Sequence, residues 1–483
     1  MNLEPQIVFD CFAQINQIPR PSKKEEQMIA FLRHFAETNH LDYQVDEVGN
    51  VVIRKPASPG YENRKSVILQ SHMDMVCEKV HGLDFDFMKD PIQTEVEGEW
   101  LRAKGTTLGA DDGIGIAMEM AILKSDDIEH GPIECVFTRD EETGLTGAMG
   151  MKSGFMSGDY LLNLDSEDEG QIFVSCAGGV RTTAIFDIEY DTLPKDYFVF
   201  KLQLKGLVGG HSGDDINKKR ANANKLIFRF LYRSKEKCDL RLIDVQSGGL
   251  HNAIPRDGYV VFAVPSKEKE SIVSDFNIYV QEVEEEYHVT EPQIQFSLES
   301  YGEKIDRCIT SSVSNSLITS VQAVDNGVFA VSQDLETLIE TSSNLASIRL
   351  VGNEIIIVTS QRSSLSSARE NMSATIRATF ELAGARVSTN EGYPGWKMNP
   401  NSEILKIAED SYRCLFGKDP IVLAIHAGLE CGLFSEKYPN LDMISFGPTL
   451  RGVHSPDEKL LIPTVNMVWE HLKDILKNIP IQK

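Results

Sequence analysis

The sequence predicts an α/β fold: a sheet flanked by helices, built from the two ends of the chain, with an α+β segment inserted between them. Three observations carry this expectation. Apolar runs of strand length alternate with amphipathic helical segments up to Arg181. Beyond it the strands become two-sided and alternating, and the α/β pattern returns after Trp396.

In the first part, Ser22 to Glu25 has capping-box spacing and is expected to open a helix around Met28, Ile29, Leu32 and Phe35. The segment YQVDEVGNVVIRK reads as two strands turned at Gly49-Asn50. Val67-Ile68-Leu69 is a short apolar run expected of a buried strand, Ile133 to Thr138 and Tyr160 to Leu164 read as further buried strands, and Gly113 to Leu123 reads as a helix directly after two aspartates. In the middle, Phe198 to Leu204 and Tyr259 to Val264 alternate. The order helix 216–233, strands 239–247 and 257–264, helix 267–286, strand 292–298 then recurs. The recurrence is helix 309–324, strands 345–350 and 354–360, helix 365–383, strand 385–390, so the insert is expected to hold two similar halves. After Trp396 come a helix from Ser402 to Leu415, a strand from Asp442 to Phe446, and a closing helix from Pro463 to Leu476 with proline in its first turn. The expected domains are 1–184 and 396–483 together, with 185–395 inserted.

The composition narrows the partners. A net charge of −24 repels phosphate backbones, so nucleic acid is not expected to bind. No apolar run approaches the roughly 18 residues of a membrane helix, and the N-terminus shows no basic stretch followed by an apolar one. The 8 cysteines are scattered with no CxxC pair, which fits reduced thiols and a cytoplasmic location.

Five acidic or imidazole clusters fall just past the expected strands: His72 with Asp74, Asp111-Asp112, Asp140-Glu141-Glu142, Asp165, and His454. Each alone has an ordinary reading as a turn, a helix cap or a solvated loop. Together they do not, because sites in open α/β sheets form beyond the carboxyl ends of the strands. Two imidazoles and three carboxylates suit two zinc ions sharing a bridging carboxylate. Such a pair can activate water and polarise a carbonyl, with a nearby carboxylate moving the proton. If Glu141 and Glu142 are extended they point opposite ways, so one can ligate while the other acts as base.

The motifs SHMDMV (71–76), GTTLGADDGIG (105–115), DEETGLTGA (140–148), NLDSE (163–167) and GVHSPDE (452–458) resemble the co-catalytic zinc peptidases. FMKDPI (87–92), GGHSGDDI (209–216), GGLHNAIPR (248–256), SQRSS (360–364) and HAGLECG (426–432) are similar to the aminoacyl-histidine, or cytosolic non-specific, dipeptidase branch. The resemblance runs nearly end to end. It implies a discontinuous di-zinc catalytic domain with a mixed sheet, and an inserted α+β lid.

It also implies two Zn2+ ions per subunit, with Co2+ or Mn2+ as substitutes. Asp111 would bridge them, His72 and Asp165 would complete one site, and Glu142 and His454 the other. Asp74 would orient His72, Glu141 would be the general base, and the Asp111-Asp112 peptide would be cis. His211 would donate to the oxyanion, while Asn252 and Arg362 would hold the substrate's terminal carboxylate. His426 and Glu430 are expected to line the pocket without a defined role. The implied activity is hydrolysis of dipeptides, Xaa-His dipeptides such as β-alanyl-histidine included. A small peptide is then the substrate, and a homodimer is compatible with a site complete in each chain. The rivals are a deacylase or carboxypeptidase on the same metal site, and a catalytically silent binding protein. The presence of Glu141 and Asp111 argues against the silent protein, and no G-x-S-x-G elbow points to a serine hydrolase.

Overall fold

The computed structural model describes residues 3–333 and 338–482. The chain divides into two units. The first comprises Met1–Ser175, Trp396–Ala424 and Leu429–Lys483; the second comprises Cys176–Gly395 and Ile425–Gly428. The second begins earlier than 185 because Gly178–Asp187 is an inner strand of its sheet.

The first unit is built on an eight-stranded sheet. Its order is Asp42–Val45, Val51–Lys55, Ile133–Thr138, Val67–His72, Tyr160–Asn163, Asp442–Ser445, Gln171–Cys176, Ile421–Ile425. Val67–His72 and Ile133–Thr138 are buried at every residue, which explains why apolar side chains fall on both faces of each strand instead of alternating with exposed polar ones. Val67–His72 pairs in parallel with both Ile133–Thr138 and Tyr160–Asn163, and the latter pairs in parallel with Asp442–Ser445. Four carboxyl ends therefore meet at one edge of the sheet. The helix Ala110–Lys124 packs on Val67–His72 and is covered in turn by Gln6–Ile15. It is buried from Asp112 to Leu123, so it is apolar all round rather than amphipathic. Each of its larger aliphatic side chains contributes about 1.5–3 kcal/mol by burial.

The capping box expected at Ser22–Glu25 does not form. The helix is Glu26–Thr38, with no side-chain cap. Ser22 Oγ donates instead to Asp74 Oδ2 at 2.7 Å, and Glu25 is buried against Arg139 Nε at 2.6 Å. Long-range carboxylate chemistry has overridden a local signal. The strands Gln171–Cys176 and Ile421–Ile425 and the helix Glu430–Lys437 have no counterpart in the sequence reading.

The second unit has a sheet in the order Gln295–Ser300, Tyr197–Lys205, Gly258–Pro265, Arg241–Gly248, Ile339–Val351, Glu354–Ser363, Gly178–Asp187, Arg386–Thr389, with Gly327–Val331 also paired to Ile339–Val351. Each half is a β-α-β-β-α-β unit, and the second half runs in mirrored order. Arg241–Gly248 and Ile339–Val351 join the halves, with Gln246 opposite Arg349. The recurring pattern predicts five elements per half; the structure adds a leading strand to each, Tyr197–Lys205, whose alternation the sequence shows, and Gly178–Asp187. The helix expected at 216–233 is Ala223–Lys235, capped by the Asn222 side chain. No helix among the described residues is long and apolar enough to cross a membrane.

Candidate active site

The carboxyl edge of the first sheet gathers the donors. His72 is the last residue of its strand. Glu141 and Glu142 follow Ile133–Thr138, and Asp165 follows Tyr160–Asn163. Asp111 lies at the start of the helix Ala110–Lys124, where its cis peptide to Asp112 departs from helical geometry. His454 sits in the loop after the short strand Leu450–Arg451, at φ 61°.

Asp111 is the centre of the cluster. Its Oδ1 lies 3.1 Å from His72 Nε2, and its Oδ2 lies 3.1 Å from His454 Nε2. His72 Nε2 is also 3.5 Å from Asp165 Oδ1, and His454 Nε2 is 3.0 Å from Glu142 Oε2. His72, Asp111 and Glu142 each offer a ligand atom within 4.8 Å of one another. Asp74 is buried; its Oδ1 and Oδ2 accept the backbone N–H groups of Glu141 and Glu142 at 3.0 and 3.2 Å. Its Oδ1 lies 3.4 Å from His72 Nδ1, an ion-pair contact. The extended geometry expected at Glu141-Glu142 is not found: Glu142 begins a turn, and Glu141 O accepts from Gly144 N and Leu145 N.

Acidic groups outnumber imidazoles, and the titration behaviour reflects it. Burial alone would lower His72, but Asp165, Asp111 and Asp74 carry it well above its ordinary value. Hydrogen bonds to Asp111 and Glu142 push His454 to about 11. Burial raises Asp165 to about 7, against the opposing pull of His72. Burial also holds Glu141 well above the carboxylate range, with Asp165, Glu142 and Glu430 adding to it and His72 opposing. A cation fits this donor set. The two imidazole Nε2 atoms each face one oxygen of the same carboxylate, and Glu142 Oε1 is buried without a hydrogen-bond partner.

Two supporting residues escaped the sequence reading. Glu458 accepts backbone N–H groups from Leu108, Gly109, Ala110 and Asp111 at 2.7, 3.0, 2.8 and 3.3 Å. Arg20 is fully enclosed and donates to the carbonyls of Met73, Asp74 and Gly109. Both act on main chain, which leaves no spacing signal. Glu430 is buried, accepts from Gln70 Nε2 and Thr138 Oγ1 at 2.6 Å each, and is raised to about 8 by burial.

The remaining residues singled out in sequence lie in the second unit. His211 ends a two-residue strand, Gly210–His211, paired with Ala253–Ile254, and its Nδ1 lies 3.2 Å from Asp214 Oδ2. Arg362 is buried in the strand Glu354–Ser363 and contacts Ser212 Oγ at 3.4 Å, His211 Nε2 at 3.4 Å and Tyr393 Oη at 3.1 Å. Asn252 is exposed; its carbonyl accepts from Ser212 N at 2.8 Å, and its side chain makes no hydrogen bond among the described residues. His426 is buried, with Nε2 at 2.7 Å from Ser342 Oγ, and burial holds its pKa at about 3.

A mixed sheet carrying imidazoles and carboxylates at its carboxyl edge is the arrangement of a metal-dependent hydrolase. The chain belongs to the peptidase family M20/M25/M40, which matches residues 68–478. It is thus an enzyme that hydrolyses peptide bonds. Over 478 residues it is 41% identical to the cytosol non-specific dipeptidase of Escherichia coli (strain K12), covering 99% of this chain and 98% of that protein. The crystal structure of aminoacylhistidine dipeptidase from Vibrio alginolyticus superposes with a TM-score of 0.93 at 43% identity, covering 100% of this chain and 98% of that one. A tripeptidase from Staphylococcus aureus shares the fold, with a TM-score of 0.58 at 16% identity over 99% of each chain.

Proposed function

We propose that this protein is a cytoplasmic two-zinc dipeptidase whose substrates include Xaa-His dipeptides. The carrying observation is Asp111, whose two oxygens each face the Nε2 of a different histidine at 3.1 Å. In this reading Asp111, His72, Asp165, Glu142 and His454 would hold the ions, with Asp111 shared between them. Bound ions would supply Lewis acidity and acidify water. Glu141 takes a proton from the attacking water and returns it to the leaving amine. Asp74 steadies that residue by holding the backbone N–H groups of Glu141 and Glu142.

The segment 185–395 is assigned the lid role, with His211 as oxyanion donor and Arg362 with Asn252 as readers of the terminal carboxylate. Arg362 supports an exopeptidase: it is 7% exposed, and its contacts are a hydroxyl, a phenol and an imidazole rather than an acid. A buried guanidinium with no carboxylate hydrogen-bonded to it favours an anionic ligand. The names of the two most similar proteins reported above agree with this substrate class.

The test is a chelated enzyme reloaded with Zn2+, Co2+ or Mn2+ and offered dipeptides, tripeptides and N-acyl amino acids. Metal-dependent turnover of dipeptides, Xaa-His included, is expected. Preferred turnover of N-acyl amino acids would favour the deacylase reading, and metal-independent turnover would end the proposal.

A further inference from the structure

Tyr393 touches Arg362 but has no role in the reaction described so far. Its position is fixed from several sides. Its backbone N donates to Gly179 O at 2.9 Å, its O accepts from Gly179 N at 3.0 Å, and its O also accepts from Arg369. The ring lies between two glycines. A Cβ on Gly179 would come within 2.6 Å of the phenol oxygen, and one on Gly428 within 2.7 Å of the ring. Side chains at either glycine would displace it. The phenol is therefore held by main chain, not by a flexible contact.

Arg362 Nη1 donates to Tyr393 Oη at 3.1 Å. The phenol oxygen is the acceptor in this contact, so its own hydrogen points elsewhere. Among the described residues that hydrogen has no acceptor. Arg362 is in a matching state. Its Nε donates to Ser212, Nη1 to Tyr393, and Nη2 faces His211, which leaves one N–H on each Nη. Asp214, the acid whose titration senses Arg362, pairs with His211 instead. Two N–H groups and one O–H therefore lie together without an acceptor, beside a buried positive charge.

We propose that Tyr393 is a specificity-determining residue that donates its phenol O–H to the same C-terminal carboxylate that Arg362 holds. The two free N–H groups fork onto the carboxylate, and the phenol takes the oxygen nearer Nη1. A fixed neutral donor beside the cation favours a carboxylate over an amide, whose NH2 group would meet donors rather than accept from them. This rests on the reading of Arg362 given above.

The experiment measures kcat and KM of the zinc-loaded wild type, Tyr393→Phe and Arg362→Ala on one Xaa-His dipeptide, as the free acid and as the C-terminal amide. Tyr393→Phe should raise KM for the acid by about 10–100-fold, the worth of a hydrogen bond to a charged group. Its kcat and its behaviour on the amide should change by less than about two-fold. Equal effects on acid and amide, or no effect on either, would overturn the proposal. If Arg362→Ala loses the preference for the acid while Tyr393→Phe keeps it, the Arg362 reading stands and the Tyr393 proposal falls. If Arg362→Ala keeps the preference, both fall. Replacing Tyr393 by 3-fluorotyrosine keeps the ring in place and makes a stronger donor and a weaker acceptor. KM for the acid should then drop; a rise would show that the phenol only accepts from Arg362, and would equally overturn the proposal.

Discussion

Glu458 Oε1 accepts the backbone N–H of Asp111 at 3.3 Å and that of Ala110 at 2.8 Å, while its Oε2 takes those of Leu108 and Gly109. One buried carboxylate thus fixes the main chain that presents Asp111. Glu458→Ala should weaken zinc retention by about 10–100-fold, the usual cost of losing an outer support of a metal ligand. Glu458→Gln should fail almost as badly, because its NH2 group would face backbone N–H donors. Zinc affinity measured against a competing chelator checks both. Wild-type affinity in Glu458→Gln would show that the carboxylate charge and its acceptors are unimportant.

Glu141→Gln should keep its metal content and lose at least about 10²–10⁴-fold in kcat, the range of general acid–base catalysis. The backbone at this position is held by Asp74, so the amide side chain should leave the neighbouring Glu142 in place. Zinc content and kcat are measured on the same preparation. Near-normal turnover, or loss of one zinc equivalent, would reject the assignment.

Asp111→Ala should release both ions together, since one side chain faces both imidazoles. His454→Ala, by contrast, should leave one tightly held equivalent. Elemental analysis after gel filtration distinguishes the two variants. Loss of a single equivalent from Asp111→Ala would rule out the bridge.

His471 gives a pH prediction away from the site. Its Nε2 lies 2.9 Å from Ala408 O, its ring packs on Tyr412 and Phe446, and burial lowers its pKa to about 4. The folded value lies below the unfolded value of about 6.5, so the fold needs the neutral ring. Its stabilising contribution is complete above pH ~6.5, declines as pH falls toward ~4, and is absent below, a change of order 3 kcal/mol at most. Wild-type Tm should drop over that window more steeply than Tm of His471→Gln. Parallel curves would show that His471 is not the group responsible.

The donors at the sheet edge were legible because their residue types are unusual just past buried strands, and because each lies in a distinct short motif. Glu458 lies in one of those motifs yet gave no hint of its task, since its partners are main-chain amides some 350 residues away in sequence. Arg20 was hidden because its partners are main-chain carbonyls, and Tyr393 because no spacing announces its contact with Arg362. Ser22 and Glu25 matched a capping rule and were claimed by Asp74 and Arg139 instead. The helix expected from residue 216 starts at Ala223 because Asp215 gathers His211 N, Lys218 and Arg220 into turns before it. Periodicity reports which face is buried; it does not report which polar group a distant residue will recruit.

The discontinuity of the first unit carries a consequence for biosynthesis. Tyr160–Asn163 waits for Asp442–Ser445 to be translated before it gains its second parallel neighbour, and His454 arrives later still. At a ribosomal rate of about 5–20 residues per second, the gap lasts some tens of seconds. A nascent chain through that interval holds His72, Asp111, Glu142 and Asp165 but lacks the last imidazole. Any product shortened before His454 would be left with the same incomplete cluster of acids, so translation must pass residue 454 before all five side chains exist in one polypeptide.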